Sequence, residues 1–515
     1  MEGDIVMNKR SVSVIGLDGL GRLYLNKMVN SGEMPNLKYI VTSADVNTNI
    51  YCFPPETASS WPSLMSGVNL GKHGIYDFFK YNSERTRLFN ALDLGHPRIH
   101  EMIAILKHFV LMINPVPSYP IIPVSNTMHV ISFSFFTPKP TAYPKFLQKY
   151  LTEYRRYTYK SLNDFLIKYI DDLDYRIGII ENLVQKFDYK LIWVNFEIPD
   201  RILHLASERE RKFKVLDKTV LKHEKIIFRK LDSVIKLLKD ITDNVVIVSD
   251  HGFSYYNKTI AVNTILYKHG FIKLSEKGLS SSIEKYSKLL PEENKPLLLI
   301  PLNNPLVKIV RKPVLKHLAK AILKIYENLF EREIKLKFPE VDHKESKAFL
   351  FGETSFGIIL NKKKYNVSPV EIVKILEKYK GIKHVWLKDQ IFSGPYLKDL
   401  PDIYLYPDFD MGYWITDLKV YDKIYRRKCR LHHHPLGVFI MKDLGGYKIL
   451  NEIINNTAVA SLIMGWLGFP LSSWIDDKEL VEKVFNGNVK YTDKYINLWN
   501  LNKRIFAMRF LKSRK

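Results

Sequence analysis

Three aspartates stand where short apolar runs end: Asp18 in VIGLDG, Asp200 in WVNFEIPDRILH and Asp250 in VIVSDHG. Histidines keep them company. His204 follows Asp200 by four positions, His251 follows Asp250 directly, and His433 lies in the run RLHHHPLG. Carboxylate oxygens and imidazole nitrogens are the ligands expected of zinc, with manganese or iron less preferred. Asp200 and His204, at the start of a predicted helix, share one face and can reach one ion. Taken singly, each element has an ordinary explanation: an aspartate after a strand caps a helix, and SDHG makes a turn. Taken together they point to metal. A lone threonine, Thr57, sits behind two prolines and an acid in YCFPPETASS. Its hydroxyl is a weak nucleophile at neutral pH unless something lowers its pKa.

For aspartates so far apart in the chain to meet, the runs before them must lie side by side. SVSVIGL (11–17), KLIWVNF (190–196) and NVVIVSD (244–250) are short, apolar and rich in β-branched residues, as buried parallel strands are. Helical spacing of apolar residues fills 160–187 and 220–239. The pattern predicts an α/β fold with a mostly parallel central sheet flanked by helices, and ligands in such folds bind outside the carboxyl ends of the strands. A lysine- and leucine-rich block over 275–342 reads as an inserted cap. The core then comprises 1–274 and 343–488, with the chain returning at KAFLFGETSFGIILN. Residues 489–515 form a basic extension, either an amphipathic helix that touches an acidic surface or a solvated terminal helix.

With 78 basic and 54 acidic residues the chain carries a formal charge of +24, which steers anionic partners but is equally the mark of a lysine-rich solvated surface. The two cysteines, Cys52 and Cys429, allow neither a disulfide framework nor a thiolate zinc cage, so a reducing, cytoplasmic location is expected. No secretion signal opens the chain. The longest apolar runs, IAILKHFVLMI and TAVASLIMGWLGF, fall short of the roughly 20 residues a membrane span needs. No motif for base readout is present.

In order, VIGLDG, MPNL, FPPETASSWPSLMSG, GKHGIYDF, NPVPSYPIIP, FFTPKP, PDRILH, VSDHGF, HGFIKL, PDIYL and HHPLGVFI resemble the successive motifs of the type I phosphodiesterase and nucleotide pyrophosphatase family of the alkaline phosphatase superfamily. The resemblance runs from about residue 11 to 485. It implies an alkaline-phosphatase-like core and two divalent metal ions, zinc first and manganese second, facing Thr57 as nucleophile. Asp18, Thr57, Asp250 and His251 would surround one ion, and Asp200, His204 and His433 the other. His433 is chosen because it stands two residues before Pro435 and four before Gly437; His432 and His434 stay open if that register slips. The implied reaction cleaves a phosphodiester or pyrophosphate bond of a small phosphorylated substrate, nucleotides included, through a phospho-threonine intermediate. A phosphomonoesterase or phosphoryl transferase of the same superfamily uses the same ligands. A reading from another class, a non-catalytic basic protein on nucleic acid or anionic lipid, leaves the retention of all seven ligand positions unexplained.

The chain departs from the family pattern in places. An asparagine that helps bind the phosphoryl group after the HGI turn is replaced by Tyr76, Asp77 and Phe78, which weakens the case for nucleotide pyrophosphatase activity in the narrow sense. Pro62 lacks an N–H and suits the first turn of a helix beginning near Trp61, which would leave Thr57 on a turn outside that helix. CFPPE lacks the arginine of the sulfatase motif C-x-P-x-R, so Cys52 reads as a small buried residue. Lys72 and His73 read as parts of a structural turn, with a phosphate contact from Lys72 as the alternative.

Overall fold

The computed structural model describes residues 10–512, except 82–85, 133–139, 152–161, 210–217, 276–296, 302–332, 338–339, 416–418, 422, 428–429, 448 and 450–452. Most of the block 275–342 read as a cap therefore lies outside the described residues, as does Cys429.

Nine strands build the central sheet: β1 (Val12–Leu17), β2 (Val46–Tyr51), β3 (Phe109–Ile113), β4 (Thr127–Ile131), β5 (Thr141–Tyr143), β6 (Tyr189–Phe196), β7 (Asn244–Val248), β8 (Leu436–Met441) and β9 (Ile453–Asn455). Their order across the sheet is β9-β2-β8-β7-β1-β6-β3-β4-β5. The pairs β1–β6, β1–β7, β3–β6, β3–β4 and β2–β9 are parallel; β8 runs antiparallel to both its neighbours, and β5 closes the far edge antiparallel to β4. The three strands read from the sequence thus sit together at the centre.

Because both faces are covered, these strands are apolar throughout instead of alternating. Val12, Val14, Leu191, Trp193, Val246 and Val248 point into one cluster, which holds Trp61, Leu64 and Met65 of helix α1 (Thr57–Ser66). Ile15, Leu17, Ile192, Val194, Val245 and Ile247 point into the other, which holds the long helices α2 (Leu162–Val184) and α4 (Lys218–Ile241). Between them in the chain, α3 (Asp200–Arg209) follows β6. The first cluster also buries α5 (Ala458–Trp466) and Trp499 of α6 (Lys494–Lys512). No described helix is long and apolar enough to cross a membrane.

KAFLFGETSFGIILN lies in a second sheet, not the first. Ala348–Leu350, Gly357–Leu360, Ile403–Pro407 and Ile382–Leu387 pair antiparallel in that order over a separate apolar cluster. The chain rejoins the central sheet only at Leu436. Sequence alone hid this because a short apolar run does not say which sheet it joins.

Candidate metal and nucleophile site

Asp18 leaves the end of β1 and is held by its backbone: its N–H donates to the Phe196 carbonyl (3.0 Å), and its carbonyl accepts from the Asp200 N–H (2.9 Å). Two neighbouring parallel strands thereby set two carboxylates beside each other. Asp250, after β7, accepts on Oδ1 from the N–H groups of Gly19 and His251, both at 3.1 Å. Its Oδ2 is left over. Asp18 Oδ1, Asp200 Oδ1 and Asp250 Oδ2 are all buried without a hydrogen-bond partner.

The histidines have the complementary shortage. Nδ1–H of His433 donates to the Pro55 carbonyl (2.7 Å) and Nδ1–H of His251 to the Gly252 carbonyl (3.2 Å). Both rings then present an Nε2 lone pair inward, the tautomer a metal needs. His433 Nε2 lies 3.2 Å from Asp200 Oδ1 and 2.8 Å from His204 Nε2, which itself lies 3.2 Å from Asp200 Oδ1. Four ligands placed tetrahedrally about 2.0 Å from one ion stand roughly 3.3 Å apart, so the trio fits a common centre. His251 Nε2 lies 3.1 Å from Thr57 Oγ1, 3.4 Å from Asp250 Oδ2 and 3.5 Å from Asp18 Oδ1. The His251 and His433 rings stack at 3.8 Å, so the two groups share a wall.

The electrostatics suit a cation among these groups. Burial, then the charges of Asp250 and Asp200, push the Asp18 carboxyl well above its usual range, and burial pushes Asp250 up to about 7. Burial also raises Asp200, but the closeness of His204 and then His433 more than reverses it and leaves this carboxyl well below its usual range. Burial, then His433, hold His251 neutral. Orphaned carboxylate oxygens, inward lone pairs and mutually repelling acids are a donor set that fits two divalent ions.

The structure thus brings all seven residues named from the sequence together, and separates His433 from its neighbours. Alternation along the strand Arg430–His434 turns His432 and His434 the other way. His432 stacks on Trp414 (4.3 Å) and accepts the His433 N–H at Nδ1, while His434 packs on Phe409. Cys52 is fully buried. Lys72 pairs with Asp476 and donates to the Trp474 carbonyl (2.8 Å), and His73 bonds Ser63 Oγ (2.8 Å) and accepts from the Ile75 N–H, so both serve the fold.

The helix start corrects the sequence expectation. α1 begins at Thr57 and contains Pro62. The core buries this helix from Ala58 to Ser66, so tertiary packing offsets the backbone bond that the proline cannot donate. Thr57 therefore stands in the first turn, at the positive end of the helix dipole.

Beside Thr57 opens a cavity of about 220 Å³, lined by Asp18, Asp200, His204 and His433 and by Ile75, Phe78, Phe89, Val116 and Tyr119. Sequence reasoning missed five of its polar residues, Asn114, Ser118, Asn195, Glu197 and Arg201. Asn195 is 6% exposed and pairs in register with Gly16. A Cβ on Gly16 would stand 2.0 Å from Asn195 Oδ1 and 2.7 Å from the Trp61 ring, so only glycine lets the amide and the indole meet there. Trp193 Nε1–H donates to Asn195 Oδ1 (2.7 Å), and since an indole only donates, this fixes the amide's orientation. Its Nδ2 is left buried and unpartnered. The signal was present in KLIWVNF, as the one amide in an apolar strand that faces covered space on both sides.

A model of the family described as type I phosphodiesterase / nucleotide pyrophosphatase matches residues 12–349. No curated protein matches the sequence. Among solved structures, phosphonoacetate hydrolase from Sinorhizobium meliloti 1021 is 12% identical, with 89% of this chain and 96% of that one covered; the TM-score is 0.52 for its complex with phosphonoacetate and 0.51 for that with phosphonoformate. Human ectonucleotide pyrophosphatase / phosphodiesterase 5 is 14% identical, with 92% and 99% covered and a TM-score of 0.49. At 12% identity the likeness to the hydrolase is one of fold.

Proposed function

The chain belongs to the type I phosphodiesterase / nucleotide pyrophosphatase family, and on that premise we propose that it is a two-metal phosphodiesterase with Thr57 as covalent nucleophile. Phosphoester hydrolysis is the family's chemistry. The observation that carries the finer reading is the Thr57 hydroxyl 3.1 Å from His251 Nε2, between two clusters of donors that lack partners.

In this reading Asp18, Thr57, Asp250 and His251 hold one divalent ion and Asp200, His204 and His433 the other. Divalent ions held there would supply Lewis-acid chemistry, lowering the pKa of a nearby hydroxyl and offsetting phosphoryl charge. The protein does the rest. The first turn of α1 aims Thr57 Oγ1 into the cavity, and the Pro55 carbonyl locks the His433 ring. Asn195 Nδ2–H, already stripped of water, donates to a non-bridging phosphoryl oxygen, the task left vacant by Tyr76, Asp77 and Phe78. The Thr57 Oγ1–P bond forms as the bond to the leaving oxygen breaks; water then attacks phosphorus and returns Thr57 as a free hydroxyl. Arg201 supplies a cation at the cavity, and Phe78, Phe89 and Tyr119 offer apolar surface to the group the phosphate carries.

The test measures metal per chain and turnover of a chromogenic phosphodiester and the matching monoester, with zinc or manganese, alongside Thr57→Ala. Two equivalents of metal, with diester cleavage lost on chelation and in Thr57→Ala, are expected. Folded protein that holds no metal and cleaves neither ester would overturn the reading, and monoester preference would move it to the phosphatases of the superfamily.

A further inference from the structure

Helix α6 is anchored by one face and presents another. Tyr495 and Trp499 are fully buried, and the Lys503 ammonium caps the Leu94 carbonyl and lies 4.4 Å over the Trp499 ring. On the opposite side Leu498 (39% exposed), Leu501 (55%), Ile505 (38%) and Met508 (61%) stand in solvent. At 100° per residue these four fall within an arc of about 80° and extend about 15 Å along the axis. Arg504 and Arg509, both exposed, lie one on each side of the stripe. The helix sequence KYINLWNLNKRIFAMRFLK contains five basic residues and no acid; the nearest, Asp493, precedes it.

We propose that this outer face is a docking surface for anionic lipid bilayers, with the four apolar side chains entering the headgroup boundary and Arg504 and Arg509 meeting lipid phosphates. A single exposed leucine needs no explanation, but an apolar stripe on a rigidly anchored helix, bordered by arginines and free of acids, is the pattern of an interfacial helix. The charge of the whole chain, +24, has the matching sign. The helix also lies close to the catalytic cavity. Phe510 meets Tyr119 edge to face at 6.1 Å, and Tyr119 lines the cavity wall. Docking would therefore place the helix between that side of the cavity and the bilayer. The inference stands on the helix itself and does not need the phosphodiesterase reading.

The test is sedimentation of the full-length protein with vesicles of phosphatidylcholine alone and of phosphatidylcholine with one third phosphatidylglycerol, at low and at 0.5 M salt on the order of the screening range. Binding to the anionic vesicles, weakened by salt and at least about 10-fold weaker to the neutral ones, is expected. The pair Leu501→Asp and Met508→Asp, both on exposed positions, should lower the anionic partition coefficient at least about 10-fold while circular dichroism and the melting midpoint stay those of the parent. No binding to anionic vesicles overturns the proposal. So does binding that the pair leaves intact, since the lipid would then be meeting the general basic surface. A dimer in light scattering that the pair dissociates would reassign the face to a second copy of the chain, and loss of oligonucleotide binding in place of vesicle binding would reassign it to nucleic acid. Esterase activity absent beside intact vesicle binding would count against the catalytic reading alone.

Discussion

Asn195→Asp isolates the amide donor assigned to the phosphoryl group. The substitution keeps an oxygen where Trp193 Nε1–H donates at 2.7 Å, so the indole remains satisfied, and it replaces the unpartnered Nδ2 by an acceptor. Removing one donor that faces developing charge costs about 2.7–4 kcal/mol. Nδ2 has no water to shed, because it is buried already, so about 3 kcal/mol is a fair figure. That is roughly a 150-fold fall in kcat/KM, with repulsion of the substrate's own charge adding to it. The assay is steady-state cleavage of a chromogenic diester by metal-loaded enzyme, with bound metal and melting midpoint measured on the same samples. Asn195→Ala should fall as far in activity and also lose stability, since Trp193 Nε1 is then stranded at a cost of about 1–3 kcal/mol. Gly16→Ala reaches the same amide from the other side, because the new Cβ displaces Asn195 Oδ1 and the Trp61 ring. Metal-loaded Asn195→Asp and Asn195→Ala within threefold of the parent would refute the assignment.

Thr57→Ser should keep turnover within about tenfold, because the hydroxyl survives at the helix start, whereas Thr57→Ala should show neither a burst nor a labelled protein in rapid quench with substrate. In metal-free protein Asp250, at about 7, binds its proton more tightly folded than unfolded, so stability should fall as pH rises from about 4 to 7. Reloading with metal should remove that slope in thermal melts followed across pH. His96 has the opposite sign. Burial holds it down at about 4 against Ser472 Oγ and the Pro97 carbonyl, so the unfolded chain takes up its proton first. Roughly 3 kcal/mol should be lost as pH falls from 6.5 to 4, and His96→Gln should flatten that part of the profile.

Much of the candidate site is legible in the sequence, for a reason visible in β1, β6 and β7. Buried parallel strands write themselves as apolar runs, and the residues just past their carboxyl ends are the ones that can meet. Asp18, Asp200 and Asp250 follow from that rule, and His204 from helical spacing. Choosing His433 among three adjacent histidines took the family register, and the strand's alternation gives the physical reason for it. Other features depend on what the rest of the chain packs against them. Pro62 sits inside α1 because the core buries that helix from Ala58 to Ser66, a packing gain that propensity alone does not include. Asn195 became a candidate only when its partner on one side was known and the other side was seen to have none. The second sheet could not be told from the first, since Ala348–Leu350 reads like any other apolar strand.

The chain order of the donors has a consequence for biosynthesis. Asp18 and Thr57 leave the ribosome early, but His433 follows about 415 residues after Asp18, which at ordinary elongation rates is roughly 20–80 s. Until then Asp250 and His251 have their backbone supports but lack the strand Arg430–His434, which pairs antiparallel with Gly252–Tyr256 and carries His433. A half-made chain therefore already contains Asp18, Thr57, Asp250 and His251 but has no second centre. In the two-metal reading only the second centre is postponed to the last stage of synthesis, and a truncated product ending before Arg430 would lack it.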